Sequence, residues 1–248
     1  MSTASSPPSP VRDWGLLDVV VMLGGWLTLA VVAAAVYAGI APAHPSTASH
    51  AALDAGAWAA ILLLVLPWLA LVGVPLWATR LFGAGPREDL GLTLSWRSAG
   101  IGVLGGLLGL AGAELAASAT TAVLGHGLSS SVGTLFTGVQ HASALPLVLL
   151  AVLAGLGAPV AEELAFRGLL QGALLRRGLS PTVAVVLTAA AFAAYHLEPD
   201  RFVILLVIGL ALGTVRRVTG STPASMVAHV TNNAPSMVVL IHQALTHH

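Results

Sequence analysis

"PLVLLAVLAGLGAPVAEELAFRGLLQGALL" runs from Pro146 to Leu175. A helix of about 20 apolar residues crosses the hydrocarbon of a bilayer. This stretch is longer than that, and its only formal charges are Glu162, Glu163 and Arg167. Strand alternation is absent, and Pro159 inside the run predicts a kink in a long helix. It reads as a transmembrane helix with ionisable groups buried near its middle. Such groups are costly in lipid, so each is a functional candidate.

The rest of the chain supports a membrane reading. Only 8% of its 248 residues are charged and 56% are hydrophobic, too few charges to cover a soluble domain of this size. Seven helical spans are expected, over 16–40, 57–79, 98–124, 146–175, 181–197, 202–215 and 222–245. The fold class is therefore an all-α polytopic transmembrane bundle. Three regions are expected: a disordered polar tail over 1–13, helices one to three over 14–145, and a core over 146–245. The apolar run behind the tail is too long for a signal-peptide core and reads as a retained helix. No cysteine is present, which removes disulfides, thiolate chemistry and Cys-ligated metal. Net charge is zero, so nothing points to nucleic acid.

All ten basic residues are arginine. With the N-terminus threaded inside, Arg12, Arg80, Arg87, Arg97, Arg176, Arg177, Arg216 and Arg217 fall on the cytoplasmic side, and only Arg201 falls outside. That is a positive-inside pattern. Localisation is expected in a cell membrane, and the Ala/Gly/Val/Leu-rich, lysine-free composition suggests a bacterial plasma membrane. Small-xxx-small steps at Gly102/Gly106, Gly105/Gly109, Gly168/Gly172 and Gly209/Gly213 predict close helix contacts.

The ionisable set within the spans is short: Glu114, Glu162, Glu163, Arg167, His196 and His229, with Asn232 and Asn233 beside the last. Glu163 and Arg167 stand at i,i+4 in the favoured order and are expected to neutralise each other. Glu162, about 100° further round, is left over as a proton acceptor. The turn near Gly178 to Pro181 puts Glu162 and His196 about 22–24 Å up antiparallel helices. His229, about 18 Å up its own helix from Arg217, falls at a similar depth. Asn233 shares the face of His229, and Asn232 faces about 100° away. Phe192 packs on the face of His196. Glu114 reaches the same depth and is expected to be structural. His44, His50, His126, His141, His242, His247 and His248 are expected to be solvated, and Arg201 with Glu198 and Asp200 reads as an exposed turn cluster.

The order EExxxR, FxxxH, HxxxN resembles the CPBP family of intramembrane proteases, which includes eukaryotic CAAX prenyl proteases and bacterial proteins linked to bacteriocin self-immunity. The motifs stand at Glu162-Glu163-Arg167, Phe192-His196 and His229-Asn233, within about 146–245. The resemblance implies an endopeptidase in which Glu162 and His196 activate water. It implies that His229 and Asn233 hold the oxyanion and that Glu163 and Arg167 orient the site. It implies no required cofactor; zinc on Glu162, His196 and His229 is the alternative. The expected partners are membrane lipid and a membrane-associated protein or peptide substrate. A non-proteolytic transporter or binding scaffold using the same polar core is the rival reading.

Overall fold

The computed structural model describes residues 13–44 and 47–246. The expected tail, apart from Asp13, and Arg12, His247 and His248 lie outside the described residues. Within them the chain is helical throughout, with no strand. The seven long helices are α1 (Leu16–Ile40), α2 (His50–Phe82), α3 (Trp96–Leu124), α4 (Ala144–Arg176), α5 (Pro181–Tyr195), α6 (Phe202–Thr219) and α7 (Thr222–Thr246).

Among the described residues, five helices are long and apolar enough to cross a membrane: α1, α2, α3, α4, and α6 with its leading turn Pro199–Arg201. The span expected over 202–215 is thus longer than its apolar run suggested. By contrast α5 has 15 residues, about 22 Å of rise. The 25-residue α7 is interrupted by His229, Thr231, Asn232 and Asn233, so it lacks a sustained apolar window. The chain is a polytopic helical membrane bundle.

Proline and glycine shape the helices. In α2 the winding breaks at Leu66-Pro67 between His50–Val65 and Trp68–Phe82, because Pro67 has no N–H to offer the preceding turn. In α4, Pro159 follows a wide π-type turn over Leu153–Gly157, and a second runs over Leu164–Leu170. A widened ladder absorbs the missing proline N–H, and such turns often occur at functional sites. The turn after α4 is closed by Gly178 at φ 81°, and Ser180 caps α5 by accepting from the Val183 N–H.

The small residues lie where helices touch. A Cβ on Gly102 or Gly106 would meet the Ala224 or Ala228 carbonyl of α7, and one on Gly105 or Gly109 would meet Val215 or Ala211 of α6. On α4, Gly168 faces Leu90 and Gly172 faces Trp14; on α6, Gly213 faces Val185. A Cβ on Gly209 would stand 2.9 Å from the Ala189 Cα of α5, a backbone atom that cannot rotate away. Gly209→Ala is expected to destabilise the bundle by about 1–3 kcal/mol through overpacking. The thermal midpoint measures this against Gly100→Ala, whose Cβ would meet nothing within 4 Å. Equal midpoints would refute the close-contact reading.

The arginine-rich loops gather at one end. Arg176 lies 3.8 Å from Asp89, Arg217 donates to Thr182 at 3.0 Å, and the Thr222 N–H donates to the Gly91 carbonyl at 3.0 Å. At the other end the short helix Ser131–Val139 is tied to the α5–α6 turn: the Ser131 N–H donates to Glu198 at 2.6 Å. Arg201 also pairs with Glu198. The turn cluster is therefore partly buried rather than simply exposed, because Glu198 serves two partners.

Burial raises the Glu198 carboxyl. The hydrogen bonds from Ser131 and the charges of Arg201 and His196 outweigh it, so the pKa is lowered from its ordinary value. A carboxyl with a lowered folded pKa contributes stability above its unfolded pKa and loses it as pH falls through the folded one. Acidification below the ordinary carboxylate range is expected to release the start of the Ser131–Val139 helix. Hydrogen exchange at the Ser131 amide should accelerate in that window. Glu198→Gln should flatten the dependence; an unchanged acid transition in that variant would show that another group controls it.

Candidate active site

Glu162 and Glu163 sit at the end of Ala158–Glu163, between the two π-type turns of α4. Arg167, one turn on, is fully buried and holds Glu163 Oε1 at 2.7 Å. Its other terminal nitrogen donates to the Gly209 carbonyl of α6 at 3.1 Å, and its guanidinium lies 4.6 Å over the Phe192 ring. Charge-assisted hydrogen bonds and cation–π contact offset the desolvation of this cation.

The pair is not self-contained as expected. Glu163 Oε1 also takes His229 Nδ1 at 2.9 Å. An ionised carboxylate only accepts, so Nδ1 carries a proton and Nε2 is turned outward. That Nε2 stands 3.9 Å from Glu162 Oε2. The result is a chain running Arg167, Glu163, His229, Glu162. Glu162 is 8% exposed, whereas Glu163 and Arg167 are 0%. Glu162 is thus the most exposed member of the chain, ahead of His229 at 4%.

His196 ends α5 as its C-cap. Its Nδ1 lies 2.8 Å from the Phe192 carbonyl. A carbonyl cannot donate, so Nδ1 is the protonated nitrogen and Nε2 of the neutral ring is a free acceptor. Phe192 joins the parts: its ring centroid lies 4.7 Å from that of His196, 5.7 Å from that of His229 and 5.4 Å from that of Phe166.

His229 enters α7 only seven residues after Thr222, about 10 Å up rather than the 18 Å expected. The depths still match because α7 starts deep. Thr222 is fully buried and donates to the Leu90 carbonyl at 2.5 Å, and Ser221 donates to the Thr93 carbonyl. Residues 90–93 close the end of the bundle beneath the helix.

Asn232 does turn away, toward Gly109 of α3, but it is not idle. Its Nδ2 donates to Asn233 Oδ1 at 3.1 Å. That bond orients the half-buried Asn233 amide with its own N–H groups unspent. Glu114 does not join the site. It is exposed on the outer face of α3, beside Leu115, because α6 and α7 pack on the opposite, glycine-lined face. His44, His50, His126, His141 and His242 are exposed.

Among the described residues, no three His, Asp or Glu side chains are grouped to hold an ion, so Glu162, His196 and His229 do not form the alternative ligand set as they stand. Sequence reasoning missed Tyr195, which meets His196 edge-to-face at 5.1 Å and Trp26 of α1 at 4.5 Å between ring centroids. The first helix therefore walls the site. The aromatic pair AFAAYHL was the only available signal, and nothing in it pointed to α1.

Residues 144–235 match the family model described as type II CAAX prenyl endopeptidase Rce1-like. The match covers α4 to the middle of α7 and contains every motif residue above. No curated protein and no solved structure matches the chain.

Proposed function

We propose, from an Rce1-like segment of the CPBP/CAAX protease family in a polytopic membrane protein, that the chain is an intramembrane endopeptidase of glutamate type. The observation that carries this is Glu162, the most exposed member, at the end of the Arg167–Glu163–His229 chain. Arg167 and His229 both bond to Glu163 Oε1, so Glu163 serves as the orienter and Glu162 is left to accept a proton.

In this reading Glu162 takes a proton from water while the free Nε2 of His196 accepts the water's other hydrogen bond. The hydroxide equivalent attacks the peptide carbonyl. His229 already donates Nδ1–H to Glu163, so it can offer a second N–H only as the imidazolium. In that form Nε2–H and the unspent Asn233 N–H groups would stabilise the oxyanion. Glu162 then returns its proton to the departing amine. The substrate is a membrane-associated protein or peptide, consistent with a site buried among helices, and the membrane is proposed to be a bacterial plasma membrane.

The test is a comparison of membrane proteomes from a wild-type strain and one carrying Glu162→Ala. Cleavage products present only in the wild type support the reading. Identical proteomes, together with no cleavage of any peptide by the purified protein, would favour a transporter or scaffold. Metal is a separate arm. Full activity in a metal-free preparation is expected, and activity that tracks zinc content by elemental analysis would overturn the glutamate-type assignment.

A further inference from the structure

A cavity of about 280 Å³ opens between the ends of α4, α5 and α6, lined by Arg167, Gln171, Leu175, Pro181, Arg216 and Arg217. It lies at the arginine-rich end of the bundle, where the positive-inside pattern places the cytoplasmic leaflet. Three of its polar groups are unmet. The Nε–H groups of Arg167 and Arg216 are buried with no acceptor, and Gln171 Oε1 is buried with no donor. Arg167 is 0% exposed and Gln171 2%. Among the described residues no carboxylate pairs with Arg216 or Arg217; the Arg217 side chain bonds Thr182 and that of Arg216 bonds nothing. Buried unsatisfied donors are costly, and an excess of guanidinium calls for an anion.

We infer that this cavity binds the phosphodiester headgroup of an anionic lipid that also carries a hydroxyl, of the glycerol type. The phosphate oxygens accept from the arginines, and the hydroxyl donates to Gln171 Oε1, which already spends its amide N–H on the Gly213 carbonyl at 3.3 Å. The apolar rim of Leu175 and Pro181 suits the start of the acyl chains. Basic pockets between helices on the cytoplasmic side are suited to such headgroups. Arg167 is shared with the Glu163 chain, so the headgroup would abut the group that orients the catalytic cluster. Binding itself does not depend on the proteolytic reading.

The test titrates the purified full-length protein in neutral detergent with phosphatidylglycerol, reading the unfolding midpoint and lipid retention by native mass spectrometry. Phosphatidylglycerol should raise the midpoint, and Arg216→Gln should weaken its binding about fivefold. Arg97→Gln, at the same end but away from the cavity, should not. If Arg216→Gln fails to fold, Arg217→Gln, at an exposed position, gives the same reading. Phosphatidylmethanol has the same charge without the hydroxyl and should bind more weakly, a difference that Gln171→Leu should remove. Unchanged affinity in both cavity-arginine variants, or an equal loss in Arg97→Gln, would overturn the site. An equal effect of inorganic phosphate would overturn the lipid assignment. Equal binding of the two lipids would overturn the hydroxyl contact.

Discussion

Glu162→Gln is expected to lower peptide hydrolysis by about 10²–10⁴-fold, the usual worth of a positioned general base. The substitution keeps the shape and removes the proton acceptor. The hydrogen bonds among Arg167, Glu163 and His229 do not use Glu162, so the thermal midpoint should hardly move. This separation is what makes the experiment decisive. Loss of cleavage with an intact midpoint assigns chemistry to Glu162. Retained cleavage in a folded variant would refute the proposed mechanism.

Glu163→Ala should behave in the opposite way. It removes the acceptor shared by Arg167 and His229, leaving a guanidinium with 0% exposure and no bonded carboxylate. Breaking a buried pair from one side costs about 3–5 kcal/mol, so a large drop in thermal midpoint is expected, with activity lost as well. The double variant Glu163→Ala/Arg167→Met removes the stranded charge and should recover much of the stability without recovering activity. If the double variant is no more stable than Glu163→Ala, the cost does not come from the uncompensated arginine.

The two substitutions explain why adjacent glutamates were separable in the sequence. One turn of helix places Arg167 against Glu163 and not Glu162, and that follows from spacing alone. The second bond of Glu163, to His229, was not legible. His229 is 66 residues away, and its depth depends on how far inside the bundle α7 begins. Counting from Arg217 missed this, because the plug formed by residues 90–93 is a contact between distant segments. The same holds for Glu114: its depth was readable, its direction was not, since the glycine face of α3 is chosen by α6 and α7. Trp26 carries no motif at all and reaches the site only through Tyr195.

By itself the sequence determined the helices, the glycine faces on which they close, the arginine-rich end, and the i,i+4 pairing of Glu163 with Arg167. These are local, set by hydropathy, helical period and charge order within a few turns. Tertiary structure alone decided that Glu163 is shared with His229, that His196 keeps Nε2 free, and that Arg216 ends in a cavity with no carboxylate partner among the described residues. Each depends on which acceptor another helix brings within about 3 Å, a distance that no single helix specifies.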